Sequence, residues 1–118
     1  MVLNQLKIFY LNAQSLLGHK LEIESLLNEQ HIDILSVSET WLCPNINNSF
    51  VNIHSYKLYR EDHGRGGGVC FYIKDHLKVT ELDGGVDKQQ GIEAKWLSVQ
   101  LRYQPSFIIG CFYRHPKA

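Results

Sequence analysis

Two hydrophobic periods organise the first third of the chain. Leu6, Ile8, Tyr10 and Asn12 fall on one side of an extended segment, with Lys7, Phe9 and Leu11 on the other. Residues 6–12 therefore read as a strand whose apolar groups on both faces predict burial from both sides. From Ser15 the period lengthens. Leu16, Leu17, Leu21, Ile23, Leu26 and Leu27 recur mostly at helical spacing, with Lys20, Glu22, Glu24 and Glu29 between them. Ser15 is the N-cap candidate, and the helix is expected to end near Glu29 to His31. Ile32–Ser38 then forms a second strand. A strand–helix–strand crossover joins parallel strands with right-handed geometry, so both strands end on one edge.

The remainder has strand character. Residues 43–55 are rich in Asn, contain Pro44 and read as a loop, and Tyr56–Arg60 is a short strand. Glu61-Asp62-His63-Gly64-Arg65-Gly66-Gly67-Gly68 is a polar, glycine-rich connection into the β-prone run Val69–Lys74. Gly84-Gly85 marks a turn. Ile92–Arg102 is expected to pair with Phe107–Tyr113 through a turn at Gln104-Pro105-Ser106. The later two-thirds thus read as an antiparallel meander, and the fold class as α/β.

Bulk properties narrow the function less than the pattern does. The chain has 118 residues, which suits one domain, and its 44% apolar and 20% charged composition is globular. Twelve basic and twelve acidic side chains cancel, so net charge gives no support to nucleic-acid binding, although a local patch remains open. Cys43, Cys70 and Cys111 lack C-x-x-C spacing, and Cys70 and Cys111 lie in apolar runs, which reads as buried free thiols in a reducing compartment. No basic segment followed by an apolar one opens the chain, and no apolar run approaches the about 20 residues that span a bilayer. The expected location is intracellular, nuclear or cytoplasmic, neither secreted nor in a membrane. The Asn47-Asn48-Ser49 sequon carries no weight without a secretory signal.

The candidate chemistry lies at the strand ends. One strand closes on Asn12-Ala13-Gln14-Ser15 and its parallel neighbour on Glu39-Thr40-Trp41-Leu42. Ligands of α/β sheets favour that carboxyl edge. An acid beside an amide is a seat for a hard divalent cation and a phosphate oxygen, and magnesium is held by one or two carboxylates with much of its water retained. The bland alternative for either residue alone is a polar strand terminus. Gly66-Gly67-Gly68 lacks the lysine and Ser/Thr of a P-loop and precedes a strand, so it reads as a flexible connection, beside which Arg65 is available to a nucleic-acid backbone. The six histidines, at positions 19, 31, 54, 63, 76 and 115, form no H-x-x-x-H pair or Cys/His cluster, and the sequence gives no expectation of a zinc site. Tyr113 and Arg114 close the last strand, where a phenol and a guanidinium suit a phosphate. Trp41 and Trp96 read as packing residues.

In their order, four segments resemble the endonuclease/exonuclease/phosphatase superfamily, and within it the apurinic-type endonuclease domain of non-LTR retrotransposons. They are Leu11–Leu16, Asp33–Leu42, Gly66–Lys74 and Phe112–Pro116. The resemblance implies a four-layer α/β sandwich, of which residues 1–118 are the N-terminal part, and Mg2+- or Mn2+-dependent cleavage of DNA phosphodiesters. It also implies a downstream reverse transcriptase in the full-length parent. By position, Asn12 matches the first-motif asparagine, Glu39 the metal-binding glutamate and Tyr113 the phosphate-side tyrosine; Arg65 and Arg114 stay as substrate-contact candidates on the reading of the residues alone. Gln14 stands where retrotransposon relatives often carry arginine. The Gly-Asp-x-Asn and Ser-Asp-His segments that complete the family's apparatus do not occur, so the isolated chain is expected to be weak or inactive. Half of a sandwich exposes an apolar face, which predicts self-association or dependence on a missing segment. The alternatives are a non-catalytic binding module or relic, and a small-molecule phosphoesterase of the same superfamily.

Overall fold

The computed structural model describes residues 5–83 and 91–116; the glycine pair at 84 and 85 lies outside them. The elements are β1 (Ile8–Asn12), a 3-10 turn (Leu17–His19), α1 (Lys20–Glu29), β2 (Ile34–Ser38), a second 3-10 turn (Asn48–Phe50), β3 (Tyr56–Glu61), β4 (Val69–Lys74), β5 (Lys78–Leu82), β6 (Ile92–Gln100) and β7 (Phe107–Arg114). β1 and β2 pair in parallel, with Asn12 opposite Ser38, as the crossover rule requires. The single meander expected of the later strands is corrected: they divide between two sheets. β3 and β4 join the first, in the order β1-β2-β4-β3, and β5-β6-β7 form the second. The strand over 78–82, Lys-Val-Thr-Glu-Leu, carries no period in the sequence because its two apolar residues, Val79 and Leu82, are three apart and fall on opposite faces.

Strand alternation then builds two cores. Leu35, Val37, Cys70 and Tyr72 face α1 and pack with Leu16, Ile23 and Leu27. Ile34, Val69, Phe71 and Ile73 face the second sheet and meet Leu97, Val99 and Cys111. Cys70 and Cys111 are buried free thiols, as the apolar runs predict. Ser15 caps the 3-10 turn by accepting the Gly18 N–H at 3.2 Å, while α1 itself starts without a side-chain cap. Arg60 pins the Asn-rich loop, donating to the Ile46 carbonyl at 2.8 Å and the Asn48 side chain at 2.7 Å.

The two-sided burial expected of the first strand is also corrected. β1 is an edge strand, and Ile8, Phe9 and Tyr10 are 47%, 38% and 60% exposed. Ile8 and Tyr10 share the face of Ile34, but the second sheet packs on β2, β3 and β4 and leaves β1 uncovered. On the far face of the second sheet Ile108 and Phe112 stand 67% and 63% exposed. The apolar pattern of these strands asks for cover that the described residues do not provide.

Candidate active site

The parallel pair delivers Asn12 and Glu39 to one edge and the backbone locks them there. Past the end of the ladder, Ala13 N–H donates to the Ser38 carbonyl at 2.9 Å, Ser15 N–H to Glu39 at 3.0 Å and Leu16 N–H to Thr40 at 2.9 Å. The two chain ends stay zipped although neither is regular strand. Gln14, Ser15, Glu39 and Trp41 all have positive φ, at 47°, 90°, 54° and 59°. Each such non-glycine residue costs of the order of 1–3 kcal/mol, and their grouping at one sheet edge is where functional strain is expected.

That backbone aims the side chains inward. Asn12 Nδ2 donates to Glu39 Oε2 at 2.5 Å. The Tyr113 hydroxyl, at the end of β7, comes near enough to the same carboxylate to be perturbed by it, so the second sheet supplies the third member. Tyr10 shares a hydrogen bond with the buried Ser38 hydroxyl beside them. Partial burial pushes the Tyr113 phenol above its ordinary range, and the Glu39 charge adds to the effect. The phenol therefore stays protonated and serves as a donor. Asn12 and Glu39, which the parallel crossover predicts at one edge, and Tyr113, which the sequence could place only on a separate strand end, form one constellation.

Of the two arginines, Arg65 sits at its margin and Arg114 does not join it. The exposed Arg65 guanidinium lies 5.5 Å from the ring centroid of half-buried Trp41, two residues past Glu39, so the indole seats the cation beside the site. Arg114 follows Tyr113 on β7 and alternation turns it to the opposite face. Trp96 packs across the strand on Gly110, where any Cβ would enter its ring.

The glycine-rich connection is not the loose segment expected from its composition. Gly67 and Gly68 are buried. Their carbonyls accept the Trp41 and Thr40 N–H groups at 2.8 and 3.2 Å, which fixes the segment carrying Glu39. A Cβ on Gly68 would run into Thr40 Oγ1, and one on Gly67 would lie 2.7 Å from both His63 and His115 and 2.8 Å from Glu93. These glycines are close-approach positions.

Beneath them lies a group that sequence reasoning missed. Glu93 on β6, only 5% exposed, extends one oxygen to the Gly68 N–H at 2.7 Å. The other faces His63 Nδ1 and His115 Nε2, the latter at 3.1 Å. His63 comes from the β3–β4 connection and His115 from the end of β7, so no spacing in the sequence signals their meeting.

The donor chemistry at the upper site fits magnesium: a half-buried carboxylate with a neutral amide beside it is an oxygen-rich, singly charged seat. No family model matches the chain, and no curated protein does. Among solved structures the chain is similar to the AP endonuclease LMAP from Leishmania major, with 17% identity and a TM-score of 0.63 over 92% of this chain. The match spans 40% of that protein's length, so what the chain shares is the fold of the corresponding part of an AP endonuclease.

Proposed function

We propose that this chain is the N-terminal part of a metal-dependent DNA endonuclease of the endonuclease/exonuclease/phosphatase type, incomplete in its catalytic apparatus. The observation that carries the reading is the Asn12–Glu39–Tyr113 constellation at the carboxyl edge of a sheet with an AP-endonuclease-like fold. Glu39 would hold Mg2+ or Mn2+, with Asn12 orienting its carboxylate. The ion supplies charge stabilisation at a phosphoryl oxygen. The Tyr113 phenol, kept protonated, donates to a phosphate oxygen, and Arg65 on Trp41 meets the nucleic-acid backbone with Arg114 farther out. The Glu-Thr-Trp-Leu and Tyr-Arg-His-Pro segments favour a retrotransposon source, with a reverse transcriptase downstream, and the free thiols of Cys70 and Cys111 favour an intracellular setting. The exposed Ile8, Tyr10, Ile108 and Phe112 support self-association or docking of a further segment of the fold.

A second reading, a binding module without chemistry, draws on the neutral charge. Calorimetric titration with MgCl2 and incubation with abasic-site duplex DNA separate the two. The endonuclease reading expects weak magnesium binding, abolished in Glu39→Gln, with turnover feeble or absent. DNA binding indifferent to both magnesium and Glu39→Gln would replace it with the binding module. Turnover confined to small phosphoesters would move the substrate class instead.

A further inference from the structure

We propose that His63, Glu93 and His115 form a second metal site, for Zn2+ or a similar nitrogen-preferring ion, that ties the two sheets together behind the Glu39 edge. Their ligand atoms, His63 Nδ1, Glu93 Oε2 and His115 Nε2, all lie within 4.8 Å of one another. Two imidazoles and a carboxylate are a zinc donor set, with the fourth position left to water, whereas magnesium avoids nitrogen.

Satisfaction of the buried polar atoms is the independent sign. Glu93 Oε2 and His115 Nε2 are buried and make no hydrogen bond of regular geometry among the described residues, although His63 Nδ1 and His115 Nε2 both stand against that one oxygen, the latter at 3.1 Å. Two imidazole nitrogens thus crowd a single carboxylate oxygen. Buried polar atoms left in this way call for an ion or water between them. The supporting shell is present as well. Glu93 Oε1 is held by the Gly68 N–H at 2.7 Å, and the His115 backbone N–H donates to the Gly91 carbonyl at 3.0 Å. Gly67 has no side chain where one would collide with all three residues. A cleft of about 250 Å³, rimmed by Glu61 and Asp62, opens onto the cluster and gives an ion its way in.

Placement defines the role. Glu93 pairs across the β6–β7 ladder with Tyr113, and the His115 ring stacks edge-on to the Tyr113 ring with centroids 5.3 Å apart. Gly67 and Gly68, which the cluster touches, hold Thr40 and Trp41. An ion here would clip the β3–β4 connection to the second sheet and fix Tyr113 against Glu39. It would act by positioning and would not touch the phosphoryl group.

The test is titration of the untagged chain with Co2+ and Zn2+, read by visible absorption, with thermal melting in parallel. The expected result is one Co2+ per chain with the intense bands of a low-coordinate site, displaced by Zn2+, and a melting temperature raised by either ion. His63→Ala, at an exposed imidazole, should weaken binding by at least about 100-fold. His63→Cys should restore it with a thiolate charge-transfer band, and Glu39→Gln should leave it unchanged. Absence of a low-coordinate cobalt spectrum, or affinity unmoved by His63→Ala, overturns the proposal and leaves an ion-pair clamp. Loss of cobalt binding in Glu39→Gln also overturns it, by locating the ion at the upper site.

Discussion

Replacing Gly68 with alanine tests the claim that the glycine-rich connection is a packing device for the Glu39 edge. Gly68 has φ of +93°, where a Cβ is strained, and its Cβ would overlap Thr40 Oγ1. Thr40 is 1% exposed and its hydroxyl accepts the Leu42 N–H at 3.3 Å, so the side chain has no free direction in which to withdraw. The backbone term is about 1–2 kcal/mol and the overpacking term about 1–3 kcal/mol, giving a loss of about 2–5 kcal/mol. Against a domain stability of about 5–15 kcal/mol this is large. Urea unfolding followed by the fluorescence of Trp41 and Trp96 measures it, at a dilution where the chain is monomeric. A cycle with Thr40→Ala separates the two terms. Removing the hydroxyl relieves the overlap and leaves the φ cost, so the double variant should be more stable than the sum of the singles by about 1–3 kcal/mol. Additivity within about 0.5 kcal/mol would refute the contact, and a loss below about 1 kcal/mol in Gly68→Ala alone would refute the reasoning altogether.

Burial raises the Cys111 thiol from 9.0 to about 11. Between those values the unfolded chain is ionised and the folded chain is not, so the unfolded state binds fewer protons and stability falls as pH rises. Urea midpoints across that window should decline less steeply in Cys111→Ala, by up to about 1.4 kcal/mol per pH unit, while buried Cys70 and Tyr72 keep the remainder of the alkaline loss. Gly110→Ala drives a Cβ into the Trp96 ring and should cost about 1–3 kcal/mol, with an emission shift as the indole lifts off the strand. Sedimentation of the wild-type chain at rising concentration should show association, and Ile8→Lys with Phe112→Lys should abolish it. A monodisperse wild-type chain that melts cooperatively would remove the exposed-face argument.

The sequence by itself determined the crossover start, most strand positions and the residues at the strand ends. Those rest on local rules: a period of two becomes a strand, a longer period a helix, and a helical crossover between strands makes them parallel. Asn12 and Glu39 could be paired on paper because parallel neighbours share an edge. Tyr113 was legible as a strand end, and only packing of the second sheet brought its hydroxyl to Glu39. Tertiary structure also decided what composition misread. β1 is apolar on both sides yet exposed, because burial depends on which strands the second sheet covers and no local pattern encodes that. The glycines that looked loose are buried, because their missing side chains make room for Thr40, His63 and Glu93. The His63–Glu93–His115 cluster joins three segments distant in sequence. Its members converge only when two sheets stack, and long-range juxtaposition of that kind leaves no spacing for a sequence to display.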